Sequence, residues 1–263
     1  MLKALGGGDA PQNTTQADKP HLTAIKEALM RPQAIITGIG SRETPPSELE
    51  LLTKIAAEAE KRGMRGRSGG AGGADLAFER GFTDPKNIDV IVPWKGFLPK
   101  GMTQDDVNAF LGRKRPSVGP GAPVMLGWDK RQEAEEKASH YHPAWHKCSP
   151  GAKSLHTRNI PQVVGLELDR PADLVVAWTV DGKATGGTGQ AIRMAQDIGV
   201  PVANLKNPDE KRVVMQALGI TDPSTQMQMT HEVSREEVFK SLGLNDKAAQ
   251  LQHAQQMQGR FGR

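Results

Sequence analysis

Residues 34–42, which read AIITGIGSR, decide the fold of this chain. The compact apolar run at the start of this stretch is typical of a buried strand, and it leads straight into a glycine turn. Glycine lets the backbone turn sharply and approach a ligand closely. The stretch therefore predicts a strand that is followed by a ligand-binding turn and then by a helix.

Two further glycine turns repeat this plan. Residues 68–75 read SGGAGGAD, and residues 185–190 read TGGTGQ, shortly after the strongest strand pattern of the chain at residues 173–179 (DLVVAWT). A helix that begins at such a turn directs unpaired N–H groups and the positive end of its dipole at whatever lies there. The three turns together predict a phosphate-bearing ligand that is held mainly by the main chain.

Strand and helix patterns alternate along most of the sequence. This order predicts an α/β fold, a Rossmann-like open and mostly parallel sheet with helices on both faces. Residues 93–150 interrupt the alternation as one long insert, in which residues 129–140 are the clear helical piece. Proline at position 161 is expected to stop or kink the helix that begins near residue 151.

The expected organisation is a central domain with two flanks. We predict a flexible N-terminal lead over residues 1–30, a Rossmann-like domain over residues 31–220 and a C-terminal extension over residues 221–263. Short helices are compatible with the sequence at residues 21–30 and 234–242.

The composition, 37% hydrophobic and 24% charged with a net charge of +4, is ordinary for a soluble globular protein. This mildly basic balance permits contact with nucleic acid without requiring it. The single cysteine, Cys148, excludes an internal disulfide framework and fits a reducing compartment. Because no long apolar run or signal-like segment is present, we expect a cytoplasmic protein with no membrane partner. A homo-oligomer is left open.

The candidate binding residues lie in and around the glycine turns. Ser41 and Arg42 offer a hydroxyl and a guanidinium to a phosphate, whereas Asp75 either accepts from a ribose hydroxyl or caps its helix. Arg158 is a candidate phosphate clamp, and Asn159 a reader of base or sugar. The turn at residues 186–189 is the preferred phosphate site. The predicted ligand-binding residues are Gly38, Gly40, Ser41, Arg42, Ser68, Gly69, Gly70, Asp75, Arg158, Asn159, Gly186, Gly187, Thr188 and Gly189.

A histidine-rich segment and a basic triplet are interpreted structurally. His140, His142, His146 and Cys148 fall within nine residues, but their spacing matches no common zinc pattern, so no metal and no cofactor is predicted. The segment is expected to pack or to line a pocket. The triplet at residues 113–115 (RKR) is expected to lie in a solvated loop.

The motifs at residues 39–42, 68–75 and 186–189 resemble those of the SLOG superfamily of Rossmann-like proteins. This superfamily includes the DNA-processing protein DprA, also called Smf, and the LOG phosphoribohydrolases. The resemblance spans about residues 33–205 and extends to the DprA-like proteins of tailed phages, in which a His-x-Arg-Asn helix precedes the Gly-Gly-Thr-Gly turn. It implies a nucleotide-type ligand at the carboxyl ends of the strands, in the host cytoplasm if the protein is phage-encoded.

Four functions follow from the motifs and the resemblance. The leading hypothesis is binding of a nucleotide or nucleotide derivative, and the alternatives are a single-stranded DNA-binding recombination mediator, a nucleoside-monophosphate N-glycoside hydrolase and a phage virion-associated protein. The LOG enzymes carry a glutamate after the glycine turn, where residues 190–193 of this chain read QAIR. Asp75 and Glu79 are candidate replacement acids, and whether the chain is an enzyme stays open.

Overall fold

One parallel sheet gathers the short apolar segments of the chain in the computed structural model, which describes residues 19–221. Its strands lie in the order β3-β2-β1-β4-β5, and every pairing is parallel. The bounds are β1 (Ile35–Gly40), β2 (Arg65–Ser68), β3 (Ile88–Val90), β4 (Leu174–Trp178) and β5 (Val202–Asn204). The predicted α/β class with a parallel, Rossmann-like sheet is confirmed.

Eight α-helices connect and cover these strands within the described residues. They are α1 (Pro20–Met30), α2 (Pro46–Lys61), α3 (Ala74–Gly81), α4 (Gln104–Leu111), α5 (Trp128–Tyr141), α6 (Pro150–Val164), α7 (Gly186–Asp197) and α8 (Pro208–Leu218). Between residues 19 and 221 no helix is both long enough and apolar enough to cross a membrane.

The alternation of side chains along the strands gives the sheet two apolar faces. On one face Ile36 and Val176 pack with buried side chains of α1, α2, α3 and α8. On the other face Ile39, Val175 and Ala177 pack with α5, α6 and α7. Helices therefore cover both faces, as a buried parallel sheet requires.

Helix α1 belongs to the folded domain rather than to a flexible lead. Leu22, Ile25 and Leu29 recur at helical spacing and are almost fully buried in the first core. The predicted lead over residues 1–30 is thus too long, because residues 20–30 pack against the domain. The rest of that lead, residues 1–18, and all but the first residue of the predicted C-terminal extension lie outside the described residues, as does the helix predicted at 234–242.

Helix α6 runs through Pro161, where the sequence predicts a stop or a kink. The last turn is fully buried, and tertiary donors reach its carbonyl groups. Thr37 Oγ1 on β1 donates to the Gln162 carbonyl at 2.6 Å, and Arg67 Nη1 on β2 donates to the Val163 carbonyl at 3.3 Å. Packing and these hydrogen bonds compensate for the intrahelical hydrogen bond that Pro161 cannot donate.

The insert at residues 93–150 carries two helices, α4 and α5, of which only α5 is predicted. A capping box at Thr103 and Asp106 marks the start of α4 and is a signal that the sequence contains. The prediction of a solvated loop at residues 113–115 is wrong for Arg115. Its buried guanidinium donates two hydrogen bonds to the buried carboxylate of Glu79 on α3, at 2.8 and 2.5 Å. This ion pair fastens the insert to the domain.

Candidate functional site

A cavity of about 560 Å³ opens at the carboxyl ends of β1 and β4. These two strands are neighbours, yet the chain leaves β1 for β2 on one side and leaves β4 for β5 on the other. Because the two connections leave in opposite directions, a crevice forms between them at the carboxyl ends of β1 and β4. Open α/β sheets bind ligands in a crevice of this kind. The turns after β1, β2 and β4 all contribute to its wall, together with residues 94–100 and helix α6.

The turn before α7 supplies the least obstructed backbone in this wall. Thr185 occupies the N-cap position but makes no capping bond, and its hydroxyl donates to an Asp181 carboxylate oxygen at 2.7 Å. Gly186 has a left-handed backbone (φ 63°) that favours glycine, and Gly186, Gly187 and Thr188 line the cavity. Since the first-turn N–H groups of a helix have no intrahelical acceptor, this end of α7 presents donors to the cavity.

The glycine motif at the end of β1 has one part that packs in the core and one part that lines the cavity. Gly38 lies in the strand and faces the first core, where any side chain would overlap the Phe78 ring. Gly40, Ser41 and Arg42 line the cavity. The Ser41 hydroxyl accepts from the Glu43 N–H at 3.0 Å, which leaves its own hydrogen as a donor. Within residues 19–221, no hydrogen bond or ion pair engages the exposed Arg42 guanidinium.

Three predicted residues of the second turn, Ser68, Gly69 and Gly70, do not line the cavity. Ser68 Oγ donates to the Asp75 carbonyl at 2.8 Å and accepts from the Gly70 N–H at 3.2 Å, so it shapes the turn itself. A side chain on Gly69 would overlap the guanidinium of Arg158. The glycines here make room for protein atoms, and Ala71 and Gly72 form the part of the turn that reaches the cavity.

Asp75 joins three walls of the site. Its carboxylate pairs with Arg158 Nη1 at 2.8 Å and accepts the Gly40 N–H at 3.3 Å, as well as a backbone bond from Ala71. Burial raises the pKa of Asp75, and Arg158 and the backbone donors counteract part of this effect. Both side chains border the cavity, but each already has an ionic partner, so Asp75 and Arg158 position the turns around the ligand space.

Asn159 and Gly189 hold the start of α7. The Asn159 amide donates to the Gly187 carbonyl at 3.2 Å and to Gln190 Oε1 at 3.1 Å, while Asn159 also lines the cavity. A side chain on Gly189 would overlap the Ala184 carbonyl, so this glycine serves close packing and lies outside the lining. The glycine turn is consequently braced from α6 and from the loop after β4.

The start of the insert, residues 94–100, forms a wall of the cavity that the glycine motifs did not predict. Trp94, Phe97 and Lys100 line the same cavity as the glycine turns. The Trp94 and Phe97 rings meet edge-to-face with centroids 5.1 Å apart, and Trp94 keeps 40% of its surface exposed. A Trp-x-x-Phe pattern directly after β3 is the signal that could have identified this wall.

Carboxylates are scarce in the lining. Among the described residues that line the cavity, Asp75 is the only acid, and it is paired with Arg158. Glu79, the other candidate replacement acid, is fully buried against Arg115 and lies outside the lining. Arg193, in the segment where the LOG enzymes carry glutamate, donates to the carbonyls of Tyr141 and Ala184. Among the described residues, the lining therefore offers no carboxylate without an ionic partner.

In the structure, two residues of the histidine-rich segment, His142 and Cys148, cluster with His156 of α6 instead of with the other histidines of the segment. His140 and His146 are exposed, whereas His142, Cys148 and His156 of α6 place ligand atoms within 4.8 Å of one another. Burial lowers the pKa of His156 to about 4, and the positive charges nearby act in the same direction. His156 also lines the cavity, so this cluster adjoins the wall that carries Gly187.

No protein-family model and no curated protein matches this chain. The fold is similar to a solved structure of DNA processing protein A from Helicobacter pylori, which is described for its single-stranded DNA binding mode. The identity is 18% and the TM-score is 0.42. The match covers 67% of this chain and 66% of that one, slightly less than two thirds of the Helicobacter protein. A similarity at this level carries no argument about function.

Proposed function

We propose that the protein binds a nucleotide or a nucleotide derivative in the cavity at the carboxyl ends of β1 and β4. The observation that carries the proposal is the composition of the cavity lining. The lining includes both the N-terminus of α7, which has no side-chain cap, and the aromatic pair Trp94 and Phe97. An anion site and an aromatic surface that face one cavity of about 560 Å³ fit a phosphate joined to a base.

The phosphate would lie against Gly186, Gly187 and Thr188. Backbone N–H groups and the positive end of the α7 dipole favour an anion at this point. Arg42 and Lys100 are exposed on the rim of the same cavity and add positive charge. Arg158 would support the site indirectly, without binding the phosphate, since its guanidinium is hydrogen-bonded to Asp75 and Gln162.

The base would stack on Trp94. Trp94 lines the cavity, keeps 40% of its surface exposed and meets Phe97 edge-to-face, so an aromatic surface is available to a base. Stacking on such a face accepts any base, so the structure supports a nucleotide class rather than one base. The motifs and the fold together support membership of the SLOG superfamily as part of the same proposal.

The experiment compares two substitutions at Gly187 by calorimetry with a panel of nucleoside monophosphates. A side chain at Gly187 has room, because its Cβ would come no closer than 3.9 Å to any atom, that of His156 Cε1. Gly187→Ala should keep the affinity within a few-fold, whereas Gly187→Asp should lower it at least roughly a hundredfold. Two like charges about 4 Å apart near a protein surface repel by about 4 kcal/mol. Equal affinity of the aspartate variant and the wild type would reject the phosphate site.

A second candidate, single-stranded DNA, is favoured by the open rim of the cavity. Trp94, Arg42 and Lys100 are all exposed there, so the terminal nucleotide of a longer strand could enter while its neighbours contact the rim. Binding of a strand releases counterions and weakens steeply with salt, in proportion to the number of phosphates contacted. Oligonucleotide affinity measured over a salt series should therefore show a steeper slope than mononucleotide affinity. Parallel slopes, or an oligonucleotide that does not bind at low salt, would leave only the nucleotide.

A further inference from the structure

Between the end of α5 and the second turn of α6, the fold brings together three side chains that can ligate a metal. His142 follows α5, Cys148 follows the short 3-10 helix Trp145–Lys147, and His156 lies on α6. Their ligand atoms all lie within 4.8 Å of one another. The segment that carries His142 and Cys148 therefore lies against α6.

The distances suit a shared ion. Cys148 Sγ lies 3.8 Å from Nδ1 and 3.9 Å from Nε2 of His142, and the rings of His142 and His156 have centroids 4.2 Å apart. Bonds of about 2.3 Å to sulfur and 2.0 Å to nitrogen in a tetrahedral zinc site place its ligand atoms at comparable separations. The ligands therefore need only a small rearrangement to meet one ion.

The hydrogen bonding of the three groups is incomplete without a further partner. His156 Nδ1 is buried and has no hydrogen-bond partner among the described residues. The Cys148 thiol makes a single long contact, 3.6 Å to the Ala144 carbonyl, besides its contacts with His142. His142 Nδ1 accepts from the Ala144 N–H at 3.3 Å, a long bond that coordination would replace at little cost.

We propose that His142, Cys148 and His156 form a zinc site in the cavity wall. Two imidazoles and a thiolate are the ligand types that zinc prefers, and three protein ligands leave one tetrahedral position for water or an anion. Binding deprotonates the Cys148 thiol and releases that proton to solvent, so the site gains one positive charge overall. The test of the zinc site uses no nucleotide, so its outcome is distinguishable from that of the nucleotide-binding test.

The test adds cobalt(II), as a spectroscopic substitute for zinc, to the full chain purified without metal. The wild type should bind one equivalent and develop the near-ultraviolet charge-transfer band of a cobalt–thiolate bond, which zinc then abolishes by displacement. Cys148→Ser should lose the band, and His142→Ala and His156→Ala should each weaken binding at least about tenfold, as expected when one of three ligands is lost. His146→Ala removes an exposed histidine of the same segment and should change neither quantity.

Two results would overturn the proposal. A wild-type protein that shows no thiolate band with excess cobalt has no such site, and this outcome does not depend on any variant folding. A Cys148→Ser variant that remains folded and keeps both the band and the wild-type affinity would place the ion elsewhere.

Discussion

At the scale of single residues, glycine has two different uses in this chain. Gly38, Gly69 and Gly189 leave space that the Phe78 ring, the Arg158 guanidinium and the Ala184 carbonyl fill. Gly187, by contrast, has no atom near the position of a side chain except His156. The sequence shows all four in similar glycine-rich turns and predicts the same role for each. Only the neighbours in space separate glycines that allow packing from one that allows access.

The aromatic wall gives a prediction at the same scale. Trp94→Ala should weaken nucleotide binding by about 1–3 kcal/mol, a roughly 5- to 150-fold loss of affinity, because the base loses its stacking partner. Calorimetry with the tightest-binding nucleotide measures this loss. Trp128→Ala is the matched control, since Trp128 is 88% exposed and does not line the cavity. Equal losses in the two variants would show that the Trp94 ring has no special contact with the base.

At the scale of elements, helix α6 shows how tertiary contacts override a local rule. Proline inside a helix removes a hydrogen bond and predicts an end, yet α6 continues for three residues beyond Pro161. Those residues include Gln162, which accepts a hydrogen bond from Arg158 and so supports the ion pair with Asp75. The unexpected last turn is therefore part of what positions the site.

Arg67 of β2 gives the prediction that belongs to this helix. Its buried guanidinium donates to the Val163 carbonyl and, at 2.8 Å, to the Arg170 carbonyl, and burial lowers its pKa to about 10. Arg67→Met should loosen the connection after α6, so the backbone amides of Arg170 and Ala172 should exchange with deuterium faster. Arg65→Met is the control on the same strand, because the partly exposed Arg65 guanidinium has, within residues 19–221, only a long ion pair with Asp89 at 3.5 Å. Unchanged exchange in Arg67→Met would mean that packing alone holds this segment.

At the scale of the whole molecule, the strand order decides where a ligand can lie. Because β1 and β4 are neighbours whose connections leave in opposite directions, three distant turns meet at one edge of the sheet. The buried Asp75 carboxylate and the buried Glu79–Arg115 pair then fix the second turn and the insert around that edge. The strand order, more than any single motif, therefore determines where the cavity lies.

Acid stability gives a prediction for the whole molecule. Partial burial raises the pKa of Glu60, but hydrogen bonds from Thr83, Asp84 and Asn87 lower it and prevail, so it lies below its ordinary value of 4.5. A carboxylate with a depressed pKa stabilises the fold above its unfolded pKa, and this contribution is lost as the pH falls through the folded pKa. Glu60→Gln should therefore lower the free energy of unfolding at neutral pH, and its difference from the wild type should shrink on acidification.

Urea unfolding at a series of pH values measures this difference. Glu58→Gln on the same helix is the control, since in the described part of the chain Glu58 pairs only with the exposed Lys61. This substitution should change stability little at any pH. A Glu60→Gln difference that stays constant down to strongly acidic pH would contradict the linkage.

The sequence by itself determined the α/β class, the parallel sheet, and the glycine turn that follows β4 and opens α7. These features depend on local periodicity and on glycine conformation, which neighbouring residues in the chain decide. The tertiary structure alone decided that Arg158 is bound to Asp75, that Trp94 lines the same cavity as the glycine turns, and that His156 joins His142 and Cys148. Each of these contacts joins residues from different elements, and the pairing of side chains across a fold is not encoded in the periodicity of either segment.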